Sequence, residues 1–232
     1  MNMSALAAPD ELLDAFKGQV TDIINTIPAT ADMTDFIILN PIQSVVAQLN
    51  GDFERLQCVN QAIQARIYAE PAWTAGAAVK VYELLAMLID PSFPHPSELM
   101  AAVKGAILIR DQMMRVCQAQ FQLTIVESQW SRGVIAFLGQ LCTVDRRTST
   151  TPKITPHIID CMLGSTSWTN DENLDIFFGF LMRAGLYLDG LGYRDNLTAR
   201  LRQVEERAKT FRSTESLAVY GISQLREKDW TM

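Results

Sequence analysis

Apolar residues recur along this chain at three- and four-residue intervals, and that spacing predicts helices almost throughout. In PDELLDAFKGQVTDIINTIP, residues 9–28, Leu12, Leu13, Phe16, Val20, Ile23, Ile24 and Ile27 fall on one helical stripe that Pro28 ends. TDFIILNPIQSVVAQLNG, 34–51, reads as two short helices or one kinked helix, because Pro41 lacks an amide hydrogen; Gly51 is placed to close it. A third helix, 52–70, presents Phe53, Leu56, Val59, Ile63 and Ile67 and stops before Pro71; a fourth follows over 72–89. PSFPHPS, 91–97, has too many prolines for regular structure. Ser97 is then expected to cap a fifth helix over 98–121, with Glu98 adding a favourable charge to its first turn. SQWSRGVIAFLGQLC (128–142) and PHIIDCML (156–163) are the sixth and seventh helices, separated by the polar run TVDRRTSTTPKIT. Two more are expected after residue 190, over 194–211 and from Ser213 or Thr214 to about 228.

The eighth helix, DENLDIFFGFLMRAGLYLD (171–189), carries two apolar stripes rather than one. Leu174, Phe177, Phe178, Leu181, Met182, Gly185 and Leu188 form the first, and Ile176, Phe180, Ala184 and Tyr187 the second. It is too short to span a bilayer, which takes about 20 apolar residues, and Asp175 and Arg183 interrupt it. A helix with two buried faces suits the inner layer of a helical array, where Gly179 and Gly185 would permit close approach of a neighbour. No run alternates as a strand would. The expectation is an all-α chain, a single domain over 1–232 folded as a HEAT- or armadillo-type solenoid of about five antiparallel hairpins, each near 45 residues.

Charge adds one feature. The net charge of −6 arises within residues 1–60, where eight acids, among them Asp10, Glu11 and Asp14, oppose only Lys17 and Arg55. An acidic chain gains little from phosphate neutralisation, which disfavours general nucleic-acid binding; this front is either a solvated face or a docking surface for a basic partner. Arginine outnumbers lysine 14 to 6 and concentrates in the last fifty residues. Ion pairs between helices are the first reading of those arginines. The alternative is an RNA-contacting strip that includes Arg146, Arg147, Lys153, Arg202 and Arg207.

Catalytic chemistry is hard to assemble from these residues. The two histidines, His95 and His157, sit in a proline-flanked loop and at a helix start, and read as solvated or capping residues. No nucleophile elbow, phosphate loop or dinucleotide fingerprint occurs. The four cysteines, Cys58, Cys117, Cys142 and Cys161, are too dispersed for a metal clip or disulfide scaffold and read as reduced core thiols. With no basic region and apolar stretch at the N-terminus, the expectation is a cytoplasmic or nuclear protein, without cofactor, metal or membrane span.

Five segments in order then resemble one family, the middle domain of eukaryotic initiation factor 4 gamma and its relatives. AEPAWTAGAAVKVYELLAML is similar to the family's "E-P-aromatic" segment, with Trp73 at the aromatic position, and RVCQAQFQ to its "cysteine-Q-x-x-F" helix end. WSRGVIAFLGQLC, containing Phe137 and Gly139, resembles "G-x-I-x-F-L-G-E-L", with Gln140 in place of the acid. The 171–189 stretch is similar to the family's "D-E-E-N-L" helix, with Gly185 and Asp189 at its glycine and closing aspartate. SLAVYGISQLREKDW places Leu225, Arg226 and Trp230 in "L-R-x-x-x-W".

The resemblance implies a right-handed crescent of five HEAT-like hairpins that serves as a non-catalytic scaffold in translation initiation or messenger RNA regulation. It is comparable in size to single-domain translation adaptors and Mextli-type relatives. Expected partners are translation initiation factors: the DEAD-box initiation helicase, a cap-binding factor or the multisubunit ribosome-recruiting factor. Messenger RNA and a second copy of the chain are further candidates.

Overall fold

Two of the helices start where a side chain satisfies free amides of the first turn. In the computed structural model, which describes residues 9–30, 36–126, 130–142, 157–164, 171–208, 223–224 and 226–228, the Asp52 carboxylate accepts from the Glu54 and Arg55 amides at 2.9 and 3.3 Å and opens α3, Phe53–Ala69. Ser131 likewise accepts from the Val134 amide and opens α7, Arg132–Leu141. The other elements are α1 (Pro9–Thr26), α2 (Phe36–Ala47), α4 (Pro71–Trp73), α5 (Val79–Leu88), α6 (Gly105–Val126), α8 (His157–Gly164), α9 (Asp171–Leu188) and α10 (Arg194–Ala208). A 3-10 turn covers Glu98–Met100, and π turns cover Thr74–Ala78 and Asp189–Tyr193. Among the described residues the regular structure is all helical, and the sole β pairing is an isolated bridge between Pro94 and Lys104.

Two compact units divide the chain, Met1–Cys117 and Gln118–Met232. In the first, α1 packs on α3 and α2 packs on α5. Apart from Ala69 at its end, burial on α3 spares a single stripe, Glu54, Gln57, Gln61, Ala65 and Tyr68, so this helix meets neighbours on both flanks. On one flank Arg66 ties three elements together. It donates to the Ile24 carbonyl of α1 and, at 3.1 and 3.2 Å, to the Glu70 carboxylate, while its guanidinium lies 4.4 Å from the centre of the Trp73 ring. Trp73 is 1% exposed. On α5 the Tyr82 hydroxyl donates to the Ile109 carbonyl of α6.

In the second unit α7 packs on α9. Gly139 is a point of close approach: a β-carbon there would lie 3.3 Å from the Arg183 side chain and 3.4 Å from the Phe180 ring. Phe137 and Phe180 are both fully buried. Gly185 is buried on α9, as anticipated, and the α9 stripe left to solvent is Glu172, Asp175, Met182 and Leu186. Arg226 closes this unit. Its guanidinium bonds Asp189 at 3.1 and 3.4 Å, the Thr198 hydroxyl at 2.7 Å and the Arg194 carbonyl at 2.7 Å.

Several expectations change. The fifth helix begins at Gly105, not after Ser97, and Ser97 caps nothing. The reason is a closed loop. The Gly105 amide donates to the Phe93 carbonyl at 3.0 Å, and Gly105 adopts φ +49 with the Pro91 backbone so near that a β-carbon would meet it at 2.8 Å. Only glycine accepts both conditions. The fourth helix keeps a helical backbone from Pro71 to Leu88 but widens into a π turn over 74–78, where Gly76 lies against the Ala29 carbonyl. Pro41 sits inside one continuous helix, α2, at a position that forfeits only the bond to Ile37. Gly179 does not receive a neighbouring helix; the nearest group to its open side is the Arg183 guanidinium of α9 itself. Leu12 and Met182, placed on buried stripes by their spacing, are 54% and 41% exposed.

Candidate interaction surfaces

Asp10, Glu11 and Asp14 all lie exposed on α1, together with Lys17, Gly18 and Asp22. They occupy the helix side opposite Phe16, Val20, Ile24 and Ile27, which are buried against the rest of the first unit. Asp10 and Glu11 have a local reason to be acidic, since carboxylates in a first turn offset the unpaired amides there. Asp14 and Asp22 have none. Asp14 adds to the charge of Asp52 and Glu54 at the start of α3, and the three together act on the Cys58 thiol. Burial first, and then these carboxylates against Lys17, hold that thiol above its ordinary pKa. Arg55 does not neutralise the patch outward. It lies over the Phe16 ring at 5.1 Å, bonds the Gln48 carbonyl at 2.7 Å and reaches Asp52 at 3.6 Å.

The arginines of the second unit do not assemble into a basic strip within the described residues. Arg226 is committed to Asp189, with both side chains near one-eighth exposed. Arg200 pairs with Asp160 at 2.8 Å, and Arg132 pairs with Asp175 across α7 and α9. Arg183 bonds the Gly179 carbonyl at 2.6 Å. Arg202 is exposed on α10, but Asp195 and Glu206 share that outer surface. Arg207 lies in α10, and its side chain is not described; Arg146, Arg147, Lys153 and Trp230 lie outside the described residues.

Candidate nucleophiles and bases are placed for packing. His95 is half-buried: its ring tilts on Phe53 at 5.1 Å between centres, and its Nδ1 accepts from the Ser97 amide at 3.0 Å, the kind of backbone bond a capping residue makes. Burial pushes the Cys117 and Cys142 thiols up to about 12, with Gln64 bonding to Cys117 opposing the rise. Cys161 is raised by burial and by Asp160. Among the described residues no three His, Cys, Asp or Glu side chains group as a metal centre would need, and no helix is long and apolar enough to cross a membrane.

Three features escaped sequence reasoning. The Arg66 clamp was invisible because nothing in the spacing marks an arginine for burial, and Trp73, seven residues on, lies beyond the break at Glu70 and Pro71. The loop of 90–105 presents Leu99 at 98% exposure on a base fixed by Phe93, His95 and Gly105. Asn60 and Gln64 are buried on α3 at 3% and 8% exposure, in a helix whose apolar positions alone were read. Comparison of the sequence with protein-family models and with curated proteins finds no match in either.

Proposed function

We propose that this chain is a non-catalytic interaction scaffold of the initiation factor 4 gamma middle-domain type, acting in the cytoplasm in translation initiation or messenger RNA regulation. The observation that carries the reading is the bond between Asp189 and Arg226. These residues belong to two separate segments of the resemblance, 37 positions apart, and a shared structural role accounts for both being present. The pairing of α1 with α3 and of α2 with α5 supports a helical-repeat arrangement, because stacked hairpins bring every second helix together.

Docking falls to the outward face of α1, where Asp14 and Asp22 are exposed without a capping role, and it suits a basic segment of an initiation factor. An RNA-binding platform is the weaker reading, since Arg200 and Arg226 are already paired and acids accompany Arg202. Affinity purification of the tagged chain from cell lysate, followed by mass spectrometry, tests the proposal. Initiation factors or messenger RNA-binding proteins should be recovered, and Asp14→Lys with Asp22→Lys should deplete them. Recovery of neither class sinks the scaffold reading, and recovery unaffected by the charge reversals removes α1 as the surface. Binding that depends on RNA and weakens steeply with salt favours the RNA platform instead.

A further inference from the structure

The core of the first unit contains polar atoms that its own fold leaves unpaired. Asn60 is 3% exposed, yet neither its Nδ2 nor its Oδ1 has a hydrogen-bond partner. One turn later Gln64 is 8% exposed with its Oε1 unpaired, and its Nε2 donates to the sulfurs of Met113 and Cys117 on α6, which are weak acceptors. The two amides share one side of α3, about 40° apart by the 3.6-residue repeat. That side is turned away from the Arg55 and Arg66 flank, which meets α1.

We propose that Asn60 and Gln64 hold a buried water molecule between α3 and α6 that bridges their two side-chain amides. A buried amide with no partner carries its full desolvation penalty, so a site with three such atoms needs an occupant. Side chains four apart on a helix are separated by about 5–6 Å at Cβ, and two hydrogen bonds of about 2.8 Å through one water cover that span. A stable internal water needs about two to four polar partners; Asn60 Nδ2, Asn60 Oδ1 and Gln64 Oε1 supply three. The surroundings select water over the alternatives. Two neutral amides, a thioether and a thiol offer no charge to offset a buried ion, and an apolar guest would leave the amides as they are.

This site is independent of the scaffold reading and is tested on the isolated full chain. Water-selective NOE and ROE spectra of the ¹⁵N-labelled protein should show direct dipolar cross-peaks from water to the Asn60 Nδ2 protons and the Gln64 Nε2 protons, with the sign of a bound molecule. Asn60→Leu should abolish the cross-peak at Gln64 as well as removing its own. Absence of dipolar cross-peaks at both residues in the unsubstituted protein overturns the proposal, and that measurement stands even where Asn60→Leu fails to fold. A Gln64 cross-peak that survives Asn60→Leu overturns the bridge in favour of a separate water.

Discussion

α3 in the first unit and α9 in the second solve the same packing problem with different residues. Each exposes one narrow stripe, Glu54, Gln57, Gln61, Ala65 and Tyr68 on α3 and Glu172, Asp175, Met182 and Leu186 on α9, and apart from the terminal Ala69 of α3 the other described side chains are buried or nearly so. On α9 the buried flanks are aromatic and aliphatic apart from Asn173 in the first turn, with Phe177, Phe178 and Phe180 within four positions and Gly139 of α7 giving access to Phe180. On α3 the buried positions include Asn60, Gln64 and Arg66. One helix is held by close-packed side chains, and the other adds directional polar contacts to the same kind of burial. Dispersion and apolar burial reward many arrangements of similar volume, whereas the Arg66 bonds to Ile24 and Glu70 fix one rotation of α3 against α1.

The largest expected effect therefore lies on α9. Phe180→Ala removes a fully buried ring at a point where α7 comes close, and Gly139 leaves no adjacent side chain to move into the space. The expected loss is about 3–5 kcal/mol, read as a fall in the urea midpoint with unchanged slope. A loss under about 1 kcal/mol would show that the α7–α9 contact relaxes freely and that the contrast with α3 is false.

An alkaline titration separates the two cores next. Cys117, bonded by Gln64 in the first unit, and Cys142 in the second are both pushed up to about 12 by burial, so each thiol keeps its proton longer when folded than when unfolded. Stability from these groups is fully present below the ordinary thiol value near 9.0 and is lost as pH rises from there towards 12. Each thiol should cost about 1.4 kcal/mol per pH unit across that window. Cys142→Ala should flatten the decline in stability between pH 9 and 11, measured by urea unfolding. An unchanged slope would mean that the Cys142 thiol reaches solvent in the folded chain.

The contrast also explains what was readable from the amino-acid order. Helix 171–189 announced both of its buried flanks because, Asn173 apart, its buried positions are apolar or glycine, and its glycines were legible as small residues, though Gly139 rather than Gly179 proved to be the close approach. α3 announced only one flank. The rest of its buried surface includes the amides Asn60 and Gln64 on one side and Arg66 on the other, residue types that periodicity assigns to solvent, and their burial depends on partners such as Met113, 49 positions from Gln64. The loop before α6 misled for the opposite reason: Leu99, Met100 and Val103 have helical spacing, but the φ of Gly105 and its bond to Phe93 decide the geometry. Of the candidate surface, the exposure of Asp10, Glu11 and Asp14 was legible from α1's single stripe. The loss of Arg200 and Arg226 to ion pairs was not, because it needs Asp160 and Asp189 brought in from elsewhere.

The smallest effect concerns the helices that cover α3 and α9, since each carries a glycine, and the two have opposite standing. Gly139 of α7 faces Phe180 and Arg183, so its missing side chain is explained within the fold. Gly18 of α1 is exposed, has an ordinary helical backbone and meets nothing within 4 Å where a β-carbon would stand. Glycine in a helix interior costs about 0.5–1 kcal/mol relative to alanine, and nothing in this unit recovers that cost. Gly18→Ala should therefore raise the stability of the chain by about 0.5–1 kcal/mol, visible as a higher urea midpoint. Gly18 lies between Asp14 and Asp22 on the proposed docking face, four positions from each. If a partner's backbone or side chain closes on α1 at this point, the stabilised variant should capture less of it, which joins a gain in folding to a loss in binding. A variant that is more stable and binds equally well would leave Gly18 without a role, and one that is less stable would show that the outward face of α1 is covered in the folded chain.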